Sequence, residues 1–275
     1  SKYNASNVSL EQILSYIKSG EIAIPENQRP FVWKPRQVRD LIDSLYMGYP
    51  TGYLIISQSP DMRLKDGSMS IGKKIMIDGS HQQRVTALMT SIVGLEVLGS
   101  DFKKRRIKIA FNPQASVEND EEVFKVQDNA VLKDKKWISD IAELFKPDFD
   151  QWEFVNEYCL QNPDVNGSQT NKILMRLLDI KNRQIGVITL DKDLNIDEVT
   201  EIFIRINSQG AKLNQADFAM SKIAANTEYG GNALRKAIDY FSHLAVEPEW
   251  YADMAKDEAF MGTLYADKLK WLKDG

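Results

Sequence analysis

The sequence is poor in the residues that build metal and redox sites. Among its 275 residues there are one cysteine and two histidines. Cys159 alone cannot form an internal disulfide, and a lone cysteine is typical of a reducing compartment. His81 and His243 lie far apart, and no cysteines and histidines have the spacing of a structural zinc site. The disulfide-rich and zinc-finger classes of protein are therefore excluded.

Long hydrophobic runs are also missing. No apolar stretch approaches the roughly 18 residues that a membrane span requires, and no basic-then-apolar leader opens the sequence. We therefore expect a cytoplasmic protein without membrane contact. The formal net charge of −4 argues against a generally basic coat, so DNA contact would need a local patch. The phosphate-binding patterns GxxxxGK[ST] and GxGxxG do not occur either.

The composition is that of a globular protein with a core. Hydrophobic residues make up 43% and charged residues 27% of the chain, and the length allows one large domain or a domain plus part of another. Helical periodicity follows Ser9, Pro35 and Asp197, and Gly20 and Gly48 are predicted to end the first two of these helices. Four segments have the composition of strands: 53–57, 75–77, 106–111 and 184–190. This mixture predicts an α/β fold.

The middle and the end of the chain are less regular. Val123–Val126 and Ala130–Leu132 are predicted to be short strands around a turn. Helical patterns are predicted at three places: 138–146, 149–161 and 171–180. From about residue 229 the pattern is helical to the last residue. We expect residues 226–275 to begin a following domain, and the chain to be the N-terminal part of a longer protein.

Chemistry-bearing residues concentrate at one strand-to-helix junction. The apolar run Ile75–Ile77 ends at Asp78, and helical spacing begins at Val85. A helix N-terminus offers unpaired N–H groups and a positive dipole end, so it can bind an anion. Arg84 adds a forked cationic donor suited to phosphate. The alternative interpretation is an ordinary turn in which Asp78 caps the helix.

Two further polar clusters lie at element boundaries. The first contains Gln28 and Arg29 beside Phe31 and Trp33. The alternative interpretation of this cluster is a loop held by its aromatic residues. The second spans 205–210. The alternative interpretation of this cluster is a helix C-terminus at which Gly210 adopts the left-handed conformation. Because all three clusters combine arginine with amide side chains, they favour one shared polar pocket.

A basic run lies at the start of the predicted strand 106–111. It consists of Lys103, Lys104, Arg105 and Arg106. Such a run is either a solvated strand end or a contact for the nucleic-acid backbone.

Three ordered strings give the chain a family resemblance: IPENQRPFVWKPRQVRDLIDSLYMGYPTGYLI, IDG…QQRVTAL and IFIRINSQGAKLNQADF. Together they resemble the N-terminal domain of GmrSD-type proteins, which belong to the ParB/sulfiredoxin-like superfamily and carry a DGQQR motif. The resemblance covers residues 8 to 225, and three motifs in order make it specific. It implies an α/β (α+β) fold with a mixed sheet and surrounding helices in residues 1–225.

The family resemblance also implies a function. Its members occur in bacterial anti-phage defence, including modification-dependent restriction and the phosphorothioate-sensing SspE type. Their domain binds and hydrolyses nucleoside triphosphates and helps to sense modified DNA, and an HNH-type nuclease commonly forms a separate C-terminal domain. The expected partners are therefore DNA, including modified phage DNA, a nucleoside triphosphate such as GTP or ATP with Mg²⁺, and the nuclease domain. The oligomeric state stays open, a homodimer included.

The resemblance assigns a nucleotide site residue by residue. The positions that match its motifs are Gln28, Arg29, Trp33, Gln82, Gln83, Arg84, Arg205, Asn207 and Gly210. Gly79, Ser80 and His81 lie at the turn before Gln82 and are included in the predicted site. Catalysis is expected from Asp78, Gln83 and Arg84, with Asp78 as the metal ligand. DNA contact is expected from Lys103 to Arg106.

One departure from the family pattern affects the site. Ser80 and His81 stand between Asp78-Gly79 and Gln82, where the family has no residues. Two extra residues turn a helix by roughly 200°. Either the turn bulges and Arg84 keeps its place, or Asp78 no longer faces the same site. Two other functions therefore stay open, a non-enzymatic module that binds or senses modified DNA and a structural interaction domain.

Overall fold

The computed structural model describes most of the chain, namely residues 2–23, 31–49, 51–58, 62–63, 69–70, 74–76, 79–191, 193–194, 198, 202 and 231–274. Its strands are β1 (Tyr3–Ser9), β2 (Ile22–Ala23), β3 (Tyr53–Gln58), β4 (Met62–Arg63), β5 (Met69–Ser70), β6 (Lys74–Met76), β7 (Val97–Leu98), β8 (Lys104–Arg105), β9 (Ile109–Phe111), β10 (Phe124–Val126) and β11 (Gln184–Leu190).

The α-helices of these residues are α1 (Leu10–Ser19), α2 (Pro35–Met47), α3 (Gly79–Leu88), α4 (Asn129–Lys133), α5 (Gln151–Gln161), α6 (Gly167–Leu178), α7 (Gly231–Val246), α8 (Tyr251–Met254), α9 (Glu258–Met261) and α10 (Leu264–Leu269). A π-helical turn, Met89–Val93, continues α3. Short 3₁₀ helices occur at Val117–Asn119, Ile141–Phe145, Asp179–Asn182, Pro248–Trp250 and Lys270–Asp274. None of the helices in the described part of the chain is long and apolar enough to cross a membrane.

A mixed sheet of five strands organises the first part of the molecule. Its order is β1-β11-β3-β6-β2. Strand β11 is antiparallel to β1 and parallel to β3, whereas β6 is antiparallel to β3 and parallel to β2. The predicted strands at 53–57 and 184–190 are confirmed. The α/β class with a mixed sheet and surrounding helices is confirmed as well.

The central strands of this sheet are buried on both faces. Alternate residues of a strand point to opposite faces. Leu54 and Val187 therefore belong to the main core, which α1, α2, α3, α5 and α6 share. Ile55 and Ile188 point the other way and are buried too. Burial on both sides explains why β3 and β11 read as nearly continuous apolar runs.

The helices α1 and α2 begin and end where the sequence predicts. The Ser9 hydroxyl accepts a hydrogen bond from the Gln12 N–H at 3.2 Å, and Gly20 ends α1 with φ 80°. Pro35 occupies the first turn of α2, and Gly48 ends that helix with φ 78°. These are the standard roles of serine, proline and glycine at helix ends.

Three details differ from the sequence-based expectations. Ala130–Leu132 lies in helix α4 and not in a strand, because the Asp128 carboxylate accepts from the Val131 N–H at 2.8 Å and caps a helix. The strand expected at 106–111 is shorter and starts at Ile109. The polar segment 3–9, for which no strand was predicted, pairs along its whole length with β11.

The C-terminal helices surround a second core. It consists of Ala237, Tyr240, Leu244, Trp250, Met254, Phe260, Ala266, Leu269 and Leu272. Phe102, from the first part of the chain, packs against this cluster. Its ring centroid lies 5.5 Å from that of Tyr240 and 4.8 Å from that of Trp250. One aromatic side chain therefore connects the sheet-containing part to the C-terminal helices.

Candidate functional site

The start of α3 carries Gln83 and Arg84, two motif residues whose side chains the structure describes. Gln83 is buried, with 6% of its surface exposed. Its Oε1 accepts a hydrogen bond from the backbone N–H of Val32 at 2.9 Å. This bond joins residues that are 51 positions apart. It connects the flank of the Gln28-Arg29 cluster to the strand-to-helix junction that carries Arg84.

The segment 31–33 is held on its other side by a strand. The backbone N–H of Phe31 donates to the carbonyl of Leu98 at 2.8 Å, and Phe31 also forms an isolated β-bridge with Gly99. Phe31 is buried and Trp33 is partly buried against the main core. Their ring centroids are 6.4 Å apart. The aromatic residues therefore anchor this segment between α3 and β7.

Arg84 points towards the chain that enters β3. Its Nη1 donates to the backbone carbonyl of Thr51. The side chain is partly buried and borders a small apolar cavity of about 20 Å³, together with Leu10, Leu54 and Ile185. Such a volume has room for about one water molecule, so this cavity is not a nucleotide pocket. A guanidinium carries five N–H donors, so the bond to Thr51 is compatible with a further contact to an anion.

The other predicted members of the nucleotide site, apart from Trp33, fall into two groups. Outside the described residues lie Gln28, Arg29, Asp78, Arg205, Asn207 and Gly210. Gly79, Ser80, His81 and Gln82 form the first turn of α3, for which the backbone alone is described. Ser80 and His81 are thus helical, and the two residues that depart from the family pattern are accommodated within the helix.

The π-helical turn at the end of α3 ties this helix to the basic run. The Ser91 hydroxyl donates to the carbonyl of Ala87 at 2.7 Å, and Thr90 Oγ1 accepts from the N–H of Ile107 at 2.9 Å. Arg106 Nη2 donates to the Thr90 carbonyl at 3.1 Å. Side-chain bonds of this kind compete with the regular helix ladder and stabilise a local widening.

Arg106 is engaged inside the protein. Its guanidinium forms a bidentate pair with the Asp140 carboxylate, at 2.8 and 3.2 Å. Both side chains are largely buried, and Asp140 Oδ1 also accepts from the N–H of Ala142 at 3.1 Å. No signal in the sequence pointed to this pair, whose members are 34 positions apart. These contacts favour a structural role for Arg106.

The other basic residues lie on an exposed β-hairpin, formed by residues 97–105 and called the basic hairpin below. Strand β7 pairs with β8 in it, and Lys103, Lys104 and Arg105 are exposed. Arg105 pairs with the Asp101 carboxylate. Desolvation would raise the pKa of Asp101, but hydrogen bonds from the Lys103 N–H and Arg105 lower it. The hairpin therefore presents two lysines and one paired arginine to solvent.

The basic hairpin and the start of α3 are continuous in space. The segment 31–33 bonds to Leu98 of the hairpin on one side and to Gln83 on the other. The structure thus joins the flanks of two predicted clusters and the hairpin that carries the basic run. Among the described residues no group of histidine, cysteine, aspartate or glutamate could hold a metal ion.

These features define a mixed α/β domain with amide and arginine side chains at a strand-to-helix junction, next to an exposed basic hairpin. The family model of the GmrSD restriction endonuclease N-terminal domain matches residues 10–224. Because the match covers most of the 275 residues, the chain belongs to this family of restriction-endonuclease domains. Among individually curated proteins, none matches the chain. The C-terminal helices from Gly231 onwards lie beyond the matched segment.

Proposed function

We propose that this chain is the nucleotide-hydrolysing and DNA-modification-sensing part of a modification-dependent restriction endonuclease, whose nuclease chemistry resides in another domain. The proposal is supported by the family match. The observation that carries it is the hydrogen bond from the Val32 N–H to Gln83 Oε1. This bond brings the segment after Gln28 and Arg29 to the helix start that carries Arg84.

The start of α3 suits the phosphates of a nucleotide. Its N-terminal N–H groups and positive dipole end attract an anion. Arg84 stands one turn further along, and Arg29 and Arg205 are the other arginines of the proposed site. Positive charge around the phosphates is the main requirement of triphosphate hydrolysis.

Amide side chains have two separate roles in the proposal. Gln82 orients the attacking water, because a neutral amide can bind water without competing for the metal. Gln83 is a positioning residue, since its oxygen is already bonded to Val32. Asp78 is the carboxylate assigned to Mg²⁺. This ion commonly uses one or two carboxylates together with substrate phosphates, and when bound it would neutralise charge on those phosphates.

Phosphate release from purified protein tests this function. The full chain is incubated with ATP, GTP, CTP or UTP and Mg²⁺, and turnover is compared between the wild type and Arg84→Ala. We expect at least one triphosphate to be hydrolysed, and kcat to fall by about 10²-fold or more in the variant, as for the loss of a charge-stabilising donor. Gln37→Ala is the control, because Gln37 caps the exposed start of α2.

Two results would contradict the enzymatic function. One is the absence of phosphate release from all four triphosphates. The other is an Arg84→Ala variant that melts at a lower temperature but keeps its kcat, since that outcome assigns Arg84 to the bond with Thr51 alone. Circular dichroism of each variant separates loss of chemistry from loss of fold.

A second candidate function is a DNA-binding or modified-DNA sensor module without hydrolysis. The exposed lysines and Arg105 of the basic hairpin favour it, because they lie next to the segment 31–33. Each phosphate contact contributes about 0.9 to the slope of log K against log salt for duplex DNA. Replacing Lys103, Lys104 and Arg105 together by alanine should therefore make that negative slope shallower, by up to about 2–3.

A matched control keeps the same change in net charge. It replaces three exposed lysines near the C-terminus, Lys268, Lys270 and Lys273. The slope of log K against log salt for this control variant should equal that of the wild type. An unchanged slope in the hairpin variant would remove the basic hairpin from the DNA interface.

A further inference from the structure

We propose that a second cleft, between α1 and the segment 145–151, binds a nucleoside phosphate, either as a free mononucleotide or as one nucleotide of a DNA strand. The cleft has a volume of about 620 Å³, which lies in the range of small-molecule binding sites. Its walls come from α1, the π-helical turn after α3, the start of α5 and the end of α6.

The floor of the cleft is apolar and partly aromatic. Leu14, Ile92 and Leu144 are buried beneath it. Phe145 and Phe149 are half-buried and line it. A floor of this kind favours a flat, apolar ligand body such as a nucleobase, because bases stack on aromatic rings irrespective of their sequence.

The rim of the cleft is positively charged. Lys18, Lys146 and Lys181 line it together with the carboxylate of Glu11, and the carboxylates of Glu143 and Asp148 act on Lys146. Lys146 is paired with Glu143 at 2.5 Å. Lys18 and Lys181 are exposed and form no ion pair within the residues that the structure describes. Lys18 and Lys181 are therefore the rim cations that favour an anion such as a phosphate group.

Two neutral polar groups distinguish a nucleotide from other anions. Ser15 and Gln151 both line the cleft. Gln151 Nε2 donates to Asn171 Oδ1 at 2.7 Å, which orients its amide and leaves the oxygen as an acceptor. A fatty acyl chain would leave these groups without partners, and inorganic phosphate would leave the aromatic floor unused. An acidic peptide would add main-chain groups that need more neutral partners than this pair supplies.

This cleft is distinct from the start of α3. Ile92 and Val93 belong to the π-helical turn, whereas Arg84 lies eight residues before Ile92. At about 1.5 Å per residue, the two positions are roughly 12 Å apart along the helix axis. A ligand in the cleft would therefore contact the far end of the helix that begins with the motif residues.

Calorimetric titration of the full chain tests the proposal. The ligands are the four deoxynucleoside monophosphates, inorganic phosphate and a short single-stranded oligonucleotide. We expect saturable binding of at least one mononucleotide, more tightly than inorganic phosphate. Lys18→Ala combined with Lys181→Ala should weaken it by about tenfold or more, the usual effect of losing a bond to a charged group. Lys172→Ala with Lys268→Ala, two exposed lysines elsewhere, is the matched control and should bind like the wild type.

Two further variants separate the cleft from other sites. Gln151→Leu should reduce the preference for mononucleotide over inorganic phosphate without changing phosphate binding. Arg84→Ala should retain mononucleotide binding, even if it abolishes triphosphate hydrolysis, so the two proposals can fail independently. If the oligonucleotide binds more tightly than the mononucleotide and depends on the same two lysines, the ligand is a nucleotide of DNA. If the mononucleotide binds more tightly, the ligand is free.

Four outcomes would overturn the proposal. They are no saturable binding of any mononucleotide, equal affinity for inorganic phosphate, full affinity in the double lysine variant, and loss of binding in Arg84→Ala. Binding of an acidic aromatic peptide such as Glu-Glu-Phe in place of every mononucleotide would equally overturn it, and would identify the cleft as a peptide site.

Discussion

The start of α3 and the basic hairpin are neighbours through residues 31–33, and they use their polar side chains differently. Gln83 and Arg84 point inward and bond to the backbone of Val32 and Thr51. Lys104 and Arg105 of the hairpin are exposed, although Arg106, directly after it, is largely buried against Asp140.

This difference separates two kinds of contribution. An inward-facing polar group that bonds to the backbone positions a segment and stabilises the fold, because its loss leaves a backbone group without its hydrogen-bond partner. An exposed charge contributes little to stability and is accessible to an anionic partner. Residues of one type, such as Arg105 and Arg106, therefore have different roles even though they are adjacent in the sequence.

The largest effect on stability is expected for Arg106→Ala. It leaves the Asp140 carboxylate largely buried without its guanidinium partner, and the free energy of unfolding should fall by about 3–5 kcal/mol. Arg105→Ala is the matched control and should cost less than about 1 kcal/mol, because its pair with Asp101 is exposed. Urea denaturation followed by circular dichroism measures both, and equal losses would contradict the distinction between the neighbouring arginines.

The anchoring of the hairpin tip depends on the C-terminal helices. Tyr240, which packs on Phe102, donates its hydroxyl to Asp257 at 2.6 Å, and Lys236 also pairs with Asp257. Asp257→Asn should reduce the free energy of unfolding by about 1.5–3 kcal/mol at neutral pH, since it weakens hydrogen bonds to a charged group. Asp253→Asn is the control, and its exposed pair with Lys256 predicts a smaller loss.

The pH dependence of the Asp257 contribution has a defined sign. Burial would raise the pKa of Asp257, but hydrogen bonds from Lys236, Tyr240 and the Phe260 N–H lower it below its usual value. Stabilisation from such a carboxylate is complete above about pH 4 and is lost as the pH falls through the folded-state pKa. The stability difference between the wild type and Asp257→Asn should therefore shrink below about pH 4. A difference that grows on acidification would refute this account.

A smaller loss is expected for Gln83→Ala, about 1–3 kcal/mol, because the Val32 N–H loses its acceptor. Gln37→Ala removes a similar bond, to the Lys34 N–H, at an exposed position and should cost about 1 kcal/mol or less. Hydrogen exchange gives the local measurement, with faster exchange of the Val32 amide in Gln83→Ala. Unchanged exchange would show that Gln83 does not hold the segment 31–33.

The smallest effect concerns the conformation of the hairpin tip. Phe102 has φ 56°, in the left-handed region that is unfavourable for residues with a Cβ. Phe102→Gly and Phe102→Ala both lose the contacts with Tyr240 and Trp250, but the glycine variant also relieves the backbone. The free energy of unfolding of the glycine variant should therefore be about 1 kcal/mol larger than that of the alanine variant. Thermal melting of both variants measures the difference. The reverse order would argue against a strained tip.

Elements with local signals were predictable from the sequence. The bounds of α1 and α2 follow from Ser9, Gly20, Pro35 and Gly48, because helix ends depend on the residues at those ends. The β composition of 184–190 likewise identified β11. Strand β1 is polar and exposed, and it is a strand only because β11 offers it a partner.

The candidate site was predictable in composition but not in geometry. Clusters of arginine and amide residues at element boundaries were visible in the sequence, as were the family motifs. Which side chains face inward was not visible, nor was the lysine-rimmed cleft, because α1, α5 and α6 come together there only in the folded chain.

The sequence by itself determined the family, the α/β class and the helix ends, because motifs, composition and capping residues are properties of short segments. Tertiary structure alone decided that Gln83 bonds to Val32 and that Arg106 pairs with Asp140. Those partners are 51 and 34 positions away in the chain, and only the packing of the sheet, α3 and the basic hairpin brings them within hydrogen-bond distance.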